Sequence, residues 1–238
     1  MHTKKFKRHI SKGWTMKKEE AKISRLYSLE NTIAKDLFEQ YEYPWEVLEH
    51  IGEYIVKLGK TLPLEEYDFT EPDIWIHKSV KIPPTASITG PCIICEDAEI
   101  RHCCFIRGKV IIGKGAVAGN SCEFKNSILF DKVQTPHYNY VGDSVLGYMS
   151  HMGAASLTSN VKSDKSLVVI KFDDVNAETG LKKFGAMIGD KVEVGCASVL
   201  NPGSVIGKES NIYPLSSVRK PVNEKSIYKN ASEIARKR

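Results

Sequence analysis

Isoleucine stands at positions 76, 82, 88, 94, 100, 106 and 112, seven times at intervals of six, and the same phase runs on through Ala118, Phe124 and Phe130. Two residues before each lies a small or β-branched side chain: Val80, Ala86, Cys92, Ala98, Cys104, Val110, Ala116 and Cys122. A second run repeats the pattern at Ile188, Val194, Leu200, Ile206, Ile212 and Val218, with Ala186, Val192, Ser198, Ser204, Ser210 and Ser216 as companions. An amphipathic helix would repeat every 3.6 residues, which this pattern does not. A period of six fits a short strand, alternating inward and outward, followed by a tight corner that the small residue permits. Three such sides close an 18-residue coil, and stacked coils line their inward isoleucines into one ladder. The pattern therefore predicts a mainly β chain built as a parallel β-helix.

The flanks read differently. Ser28 can cap a helix through Leu29, Ile33, Leu37 and Phe38, and Pro44 can open a second with Val47, Leu48, Ile51, Ile55 and Leu58 on one face. The acidic, Pro-bounded stretch from Pro63 to Pro72 reads as a linker, and Asn223 can cap a short C-terminal helix through Ile227 and Ile234. The expected organisation is a basic flexible tail (1–18), a helical N-terminal segment with linker (19–72), the β-helix (73–222) and a C-terminal helix or tail (223–238). Residues 1–18 carry seven Lys or Arg and no acid, which leaves 27 basic against 29 acidic residues in the body. The net charge of +5 is thus a property of the tail, and no specific nucleic-acid partner is expected.

Composition excludes collagenous and disordered classes: 42% of residues are hydrophobic and 26% charged. No run reaches the roughly 18 apolar residues of a membrane span, and the basic N-terminus lacks a signal-peptide core, so a soluble cytoplasmic protein is expected. The six cysteines are mostly absorbed by the repeat, since Cys92, Cys104 and Cys122 occupy its small-residue positions. Cys92 and Cys95 form a lone C-x-x-C without a second pair to complete a zinc site. No metal is expected.

The repeat breaks twice. Its phase is 4 modulo 6 up to Phe130 and 2 modulo 6 from Leu146 onward, which predicts a loop or corner insertion between them. The second irregularity covers about 159–184, where Asp164, Asn176 and Lys182 stand at positions the ladder would fill with apolar residues.

The six-residue repeat resembles that of hexapeptide-repeat proteins, which implies a left-handed β-helix. The first break contains His137-Tyr-Asn-Tyr-Val-Gly-Asp143, similar to the H-x-x-Y-x-G-D segment of glucosamine-1-phosphate N-acetyltransferases, the C-terminal half of the bifunctional enzymes that make UDP-N-acetylglucosamine. Ile106-Arg107 resembles their arginine-bearing coil, Gly119-Asn-Ser-Cys-Glu-Phe-Lys-Asn126 their G-N-x-x-E-x-K-N motif, and Gly153-Ala-Ala-Ser-Leu-Thr-Ser-Asn160 their G-A-G-T-I-T-x-N motif. Phe184-Gly-Ala-Met-Ile-Gly, Pro202-Gly-Ser-Val-Ile-Gly and the Tyr43-Pro-Trp45 stretch are similar to archaeal sugar-1-phosphate nucleotidyltransferases of the same C-terminal fold. The glycine-rich L-x-G-G-x-G-T-R loop that cradles nucleotide phosphates in those enzymes occurs nowhere in the 238 residues.

The resemblance implies an acetyl-CoA-dependent N-acetyltransferase of a hexosamine 1-phosphate such as glucosamine 1-phosphate, acting as a homotrimer with its site between neighbouring β-helices. Acetyl-CoA is then a co-substrate, and no tightly bound cofactor is implied. By the same resemblance His137 is the general base, and Asn160 positions the acetyl group or the amine. Tyr140 and His151 contact the sugar, backbone N–H groups near Ala154 and Ala155 meet the thioester oxygen, and Cys196 lies along the cofactor groove. Arg107 and Lys125 supply fixed positive charge for the sugar phosphate. Their 18-residue separation stacks them one coil apart, about 5 Å, where two cations repel unless an anion sits between them. His151 replaces the family's Asn and Ala155 a Gly, which bears on sugar identity and on thioester fit. His102 invites comparison with zinc-binding β-helical carbonic anhydrases, but their close H-x-x-x-x-H pair is missing. Two alternatives stand beside the enzyme: a non-catalytic sugar-phosphate-binding or regulatory β-helix, and a sugar-1-phosphate nucleotidyltransferase.

Overall fold

A computed structural model describes residues 16–70 and 72–237; most of the basic tail lies outside them. The solenoid has three faces of parallel strands. Face A carries Ser87–Ile88, Phe105–Ile106, the first halves of Glu123–Leu129 and Tyr140–Leu146, then Leu157–Thr158, Val199–Leu200 and Ser217–Val218. Face B runs from Ile74–His77 through Cys92–Ile94, Val110–Ile112 and the second halves of those long strands to Ala186–Ile188 and Ser204–Ile206. Face C runs from Glu99–Ile100 through Val117–Asn120, Gln134–His137 and His151–Met152 to Glu193–Val194, Asn211–Ile212 and Ser226–Asn230.

The ladder is real in its middle and open at its start. Ile94, Ile100, Ile106 and Ile112 are at most 5% exposed, whereas Ile82 is 37% exposed and Ile76 and Ile88 are half-buried. Among the described residues no coil lies beneath the first one, and its inward side chains are more open than those of the middle coils. Corner chemistry also differs in detail from the expectation. The strained residue is not the small one but the one before it: Cys103, Ser121, Tyr138, Ala155, Ala197 and Leu215 all have φ between 53° and 61° at the corner from C to A. The residue that follows each, Cys104, Cys122, Asn139, Ser156, Ser198 and Ser216, turns into the interior. Small size is needed because the corner leaves the interior little room.

The phase change is not an insertion. Ile106 pairs with Phe124 at a spacing of 18, but Ile112 pairs with Leu129 and Leu129 with Leu146 at 17. One residue has been dropped from each of two successive A-to-B corners, at Asn126 and at Asp143, and the strands run straight through. Phe130 consequently leaves the ladder and packs outside it, its ring 5.1 Å from that of Tyr27 and 5.3 Å from that of Phe38. At the next A-to-B corner the spacing jumps to 42, since Thr158 pairs with Leu200. The extra residues form an excursion with the antiparallel hairpin Val169–Lys171 and Asn176–Glu178.

Face B is sealed by the N-terminal segment. Its outward residues Ile93, Ile111, Ile128, Val145, Met187 and Val205 are fully buried, and Trp75 is 3% exposed. The cover is more broken than the two expected helices: 3-10 turns at Leu29–Asn31 and Pro44–Glu49, α-turns at Ile23–Leu26 and Lys35–Phe38, and one nine-residue helix, Ile51–Gly59. Trp45 stacks on Tyr43 at 4.8 Å and on Phe184 at 6.2 Å, and lies 6.2 Å from Phe172, so it joins the cover to the excursion. The helix comes so close to the solenoid that a Cβ on Gly59 would lie 2.4 Å from the Trp75 ring.

Two expectations at the flanks are corrected. Within the supposed linker, Tyr67–Thr70 is a strand paired antiparallel with Ile74–His77. The expected C-terminal helix is a strand pair, Ser226–Asn230 with Glu233–Arg236. Tyr228 is buried there by alternation, and Ile227 and Ile234 follow strand rather than helix spacing. Among the described residues no helix is long and apolar enough to cross a membrane.

Ile111→Ala on the sealed face should cost about 2–5 kcal/mol, whereas Val199→Ala on open face A should cost less than about 1 kcal/mol. Equal shifts in urea denaturation would mean that the cover does not hold in solution. Burial pushes the Cys95 thiol up to about 12, and Cys92, Cys104 and Cys122 are likewise raised by burial, while Cys103 and Cys196 are exposed. A chromogenic disulfide reagent near pH 8 should therefore titrate two thiols in native protein and six in denaturant.

Candidate active site

The two shortened corners place Asn126 and Asp143 at φ of 48°, in the left-handed region that Asn and Asp adopt more readily than other side chains. Asp143 is only 3% exposed. Its carboxylate accepts hydrogen bonds from Asn126 Nδ2 at 2.9 Å and Asn160 Nδ2 at 2.5 Å, and Lys125 Nζ lies 3.5 Å away. A buried carboxylate needs such partners to offset its lost hydration. Asn160 also donates to the Tyr140 hydroxyl at 3.1 Å. Burial, and then the Asp143 charge, hold the Tyr140 phenol above its ordinary range, so it is neutral at physiological pH and its own O–H remains a donor. Gly142 lies beneath this contact. A Cβ there would be 2.5 Å from the Tyr140 hydroxyl and 2.9 Å from Asn160 Nδ2, so no side chain fits between them.

Arg107 and Lys125 stack on successive coils as their spacing predicts, next to the paired Ile106 and Phe124. Each also has an acid of its own, which relieves the repulsion between them. Arg107 Nη1 lies 2.6 Å from Glu123 Oε1, and Lys125 faces Asp143. The first pair is half-open to solvent and can be exchanged for a ligand anion; the second is built into the buried cluster.

His137 stands at the opposite edge of face A, at the C-to-A corner, where it pairs with Asn120 of the preceding coil. Its side chain is exposed and makes no hydrogen bond to another described residue. Ala155 does not offer its N–H to a ligand, since it donates to the His137 carbonyl at 3.0 Å. The Ala154 N–H has no partner among the described residues. Ala154 accepts through its carbonyl from Ala197 N at 2.8 Å, which sets exposed Cys196 one coil further along the same edge. His151 sits apart on face C, its Nδ1 2.8 Å from Glu193 Oε2. The structure thus gathers Arg107, Lys125, Tyr140 and Asn160 at one edge of face A, and His137, Ala154, Ala155 and Cys196 along the other. Glu123, Asn126 and Asp143 had no role in the sequence reading although all three lie inside its motifs. The usable signal was a polar residue at each corner where the phase slips. His102 bonds to Thr85 at 2.9 Å, and no group of three His, Cys, Asp or Glu able to hold a metal occurs among the described residues.

Comparison with known proteins agrees with the motif resemblance. Residues 88–181 match the family described as the GMPPB C-terminal domain. The bifunctional protein GlmU of Methanococcus vannielii is 33% identical over 135 residues, 56% of this chain and 32% of that protein. The bifunctional sugar-1-phosphate nucleotidylyltransferase/acetyltransferase of Sulfurisphaera tokodaii is 29% identical over 227 residues, 87% of this chain and 56% of that one. The chain therefore spans between about a third and just over half of such relatives. Among solved structures, the acetyltransferase domain of PglB from Neisseria gonorrhoeae with acetyl coenzyme A aligns at 12% identity and a TM-score of 0.33, over 80% of this chain and 65% of that one.

The two cations should differ when removed. Lys125→Ala leaves the Asp143 carboxylate buried with amide partners only and should lower stability by about 1–3 kcal/mol. Arg107→Ala, which breaks a solvent-exposed pair, should leave the denaturation midpoint close to wild type. A large loss in the Arg107 variant would show that its ion pair is structural.

Proposed function

We propose that this chain is an N-acyltransferase that moves an acetyl group from acetyl-CoA to the amine of a hexosamine 1-phosphate, with glucosamine 1-phosphate as the leading candidate. The observation that carries this reading is the Asp143-centred cluster. It holds Lys125, Asn160 and Tyr140 on an open face beside Arg107, whose Glu123 partner a phosphate can displace. Arg107 and Lys125 then take the phosphate, and the Tyr140 O–H and Asn160 amide meet sugar hydroxyls or the acyl carbonyl.

In the reaction the amine lone pair attacks the thioester carbon, the new C–N bond forms and the C–S bond breaks. The amine proton passes to the His137 imidazole as general base and from there to the departing thiolate, giving free CoA. The Ala154 N–H is the backbone donor available to the developing oxyanion, and Cys196 lines the cofactor's path. Because His137 and the Asp143 cluster occupy opposite edges of face A, a homotrimer with its site between copies fits this chemistry better than a lone chain. A cytoplasmic location is part of the same reading. One observation favours the alternative of a non-catalytic sugar-phosphate-binding protein: the His137 imidazole has no hydrogen-bond partner among the described residues.

Thiol release from acetyl-CoA, measured against a panel of amino-sugar 1-phosphates, separates the two. Turnover with at least one panel member is expected, and binding of a sugar phosphate without thiol release would favour the alternative. On the best substrate His137→Ala should lower kcat by roughly 10²–10⁴-fold with little change in KM. The control is Tyr138→Ala, which alters a residue 63% exposed at the same corner. Arg107→Glu should act in the opposite manner, raising KM for the sugar phosphate. Wild-type turnover in the His137 variant would remove it as the base.

A further inference from the structure

The inward position of the C-to-A corner is filled by Cys104, Cys122, Ser156, Ser198 and Ser216 in other coils, and by Asn139 in the coil of His137. Asn139 is larger than any of these, polar, and 2% exposed. Every polar atom of it is used. Its backbone N–H donates to Cys122 Sγ at 3.2 Å, and its Oδ1 accepts from the His137 N–H at 3.2 Å. Its Nδ2 donates across to the next coil, to the Gly153 and Ser156 carbonyls at 2.9 Å each, with the Ser156 hydroxyl at 3.2 Å. The Ala155 N–H returns from that coil to the His137 carbonyl at 3.0 Å.

We infer that Asn139 is a positioning residue that fixes the His137 corner against the Gly153–Ser156 corner, and so sets the distance between the imidazole and the free Ala154 N–H. The inference rests on the proposed acyl transfer for its catalytic meaning, but the geometry stands apart from it. Corner closure alone does not need an amide here, since serine and cysteine close the same corner elsewhere. What the amide adds is a link from the His137 N–H, through Oδ1, to the Gly153 and Ser156 carbonyls, through Nδ2, that no other side chain among the described residues makes. Gly153 O keeps the Ser156 hydroxyl at 2.7 Å and the Ser156 N–H at 3.1 Å when the amide is removed, so the fold has other means to satisfy it.

Asn139→Ser and Asn139→Cys install the usual occupants of this position, and two measurements on the full chain test the inference. Hydrogen exchange should speed up at the Ala155 N–H in both variants, and stay unchanged at amides of distant coils such as Leu200. On the best substrate kcat should fall by roughly 10²-fold, as expected for a misplaced pair of catalytic groups, while KM for the sugar phosphate stays within about twofold. Both readings are taken below the onset of unfolding for each variant. Unchanged exchange at Ala155 overturns the inference whether or not the protein turns over. Faster exchange together with wild-type kcat also overturns it, because the bridge would then be structural. If the wild type releases no thiol with any panel member while exchange responds as expected, acyl transfer fails as the function and the positioning geometry stands.

Discussion

Everything in this fold depends on turning the chain by a third of a circle every few residues without leaving a void or a buried unpaired group at the bend. The solution is local and repeated: one residue in the left-handed region, then one small side chain turned inward. Each non-glycine bend costs about 1–2 kcal/mol of backbone strain. Backbone pairing between coils and the burial of the apolar ladder offset it. Since the strain recurs at nearly every corner, it marks no functional site by itself. The candidate site lies where a corner departs from the rule: a missing residue at Asn126 and Asp143, an excursion before Phe184, and an oversized Asn139.

The ladder was legible because it is a statement about one residue in six, and isoleucine makes that statement loudly. The registry was not, because Phe130 satisfies the arithmetic of the repeat while Leu129 satisfies its geometry. A hydrophobic residue beside the ladder looks the same in sequence as one within it. The cover over face B was half legible. Apolar residues of residues 29–58 pointed to packing, but the fact that Ile93, Ile111 and Ile128 face outward became meaningful only with something lying on them. The C-terminal strands were missed because Ile227 and Ile234 suit a helix as well as a strand pair when considered alone.

The site shows the same division. Residue types suited to the proposed sugar phosphate could be picked from motifs, and four of them meet at one edge of face A. Their counter-ions could not, because pairing across coils joins residues 16–20 apart, such as Arg107 with Glu123 or Tyr140 with Asn160. Asp143 in particular is a polar core in miniature, a buried carboxylate holding two amides and an ammonium group at a corner of the solenoid.

The strands that begin and end the stack both run against its direction. On face B Tyr67–Thr70 lies antiparallel to Ile74–His77, and on face C Glu233–Arg236 lies antiparallel to Ser226–Asn230. A regular parallel stack is an unfinished crystal in one dimension, since its terminal strand offers the same row of donors and acceptors that the preceding coil has just filled. Reversing polarity on one face at each end breaks that template, and the charged Asp68, Glu233 and Arg236 add a cost to any copy that tries to continue it. These two antiparallel strands thereby discourage end-to-end growth of the stack into a fibre.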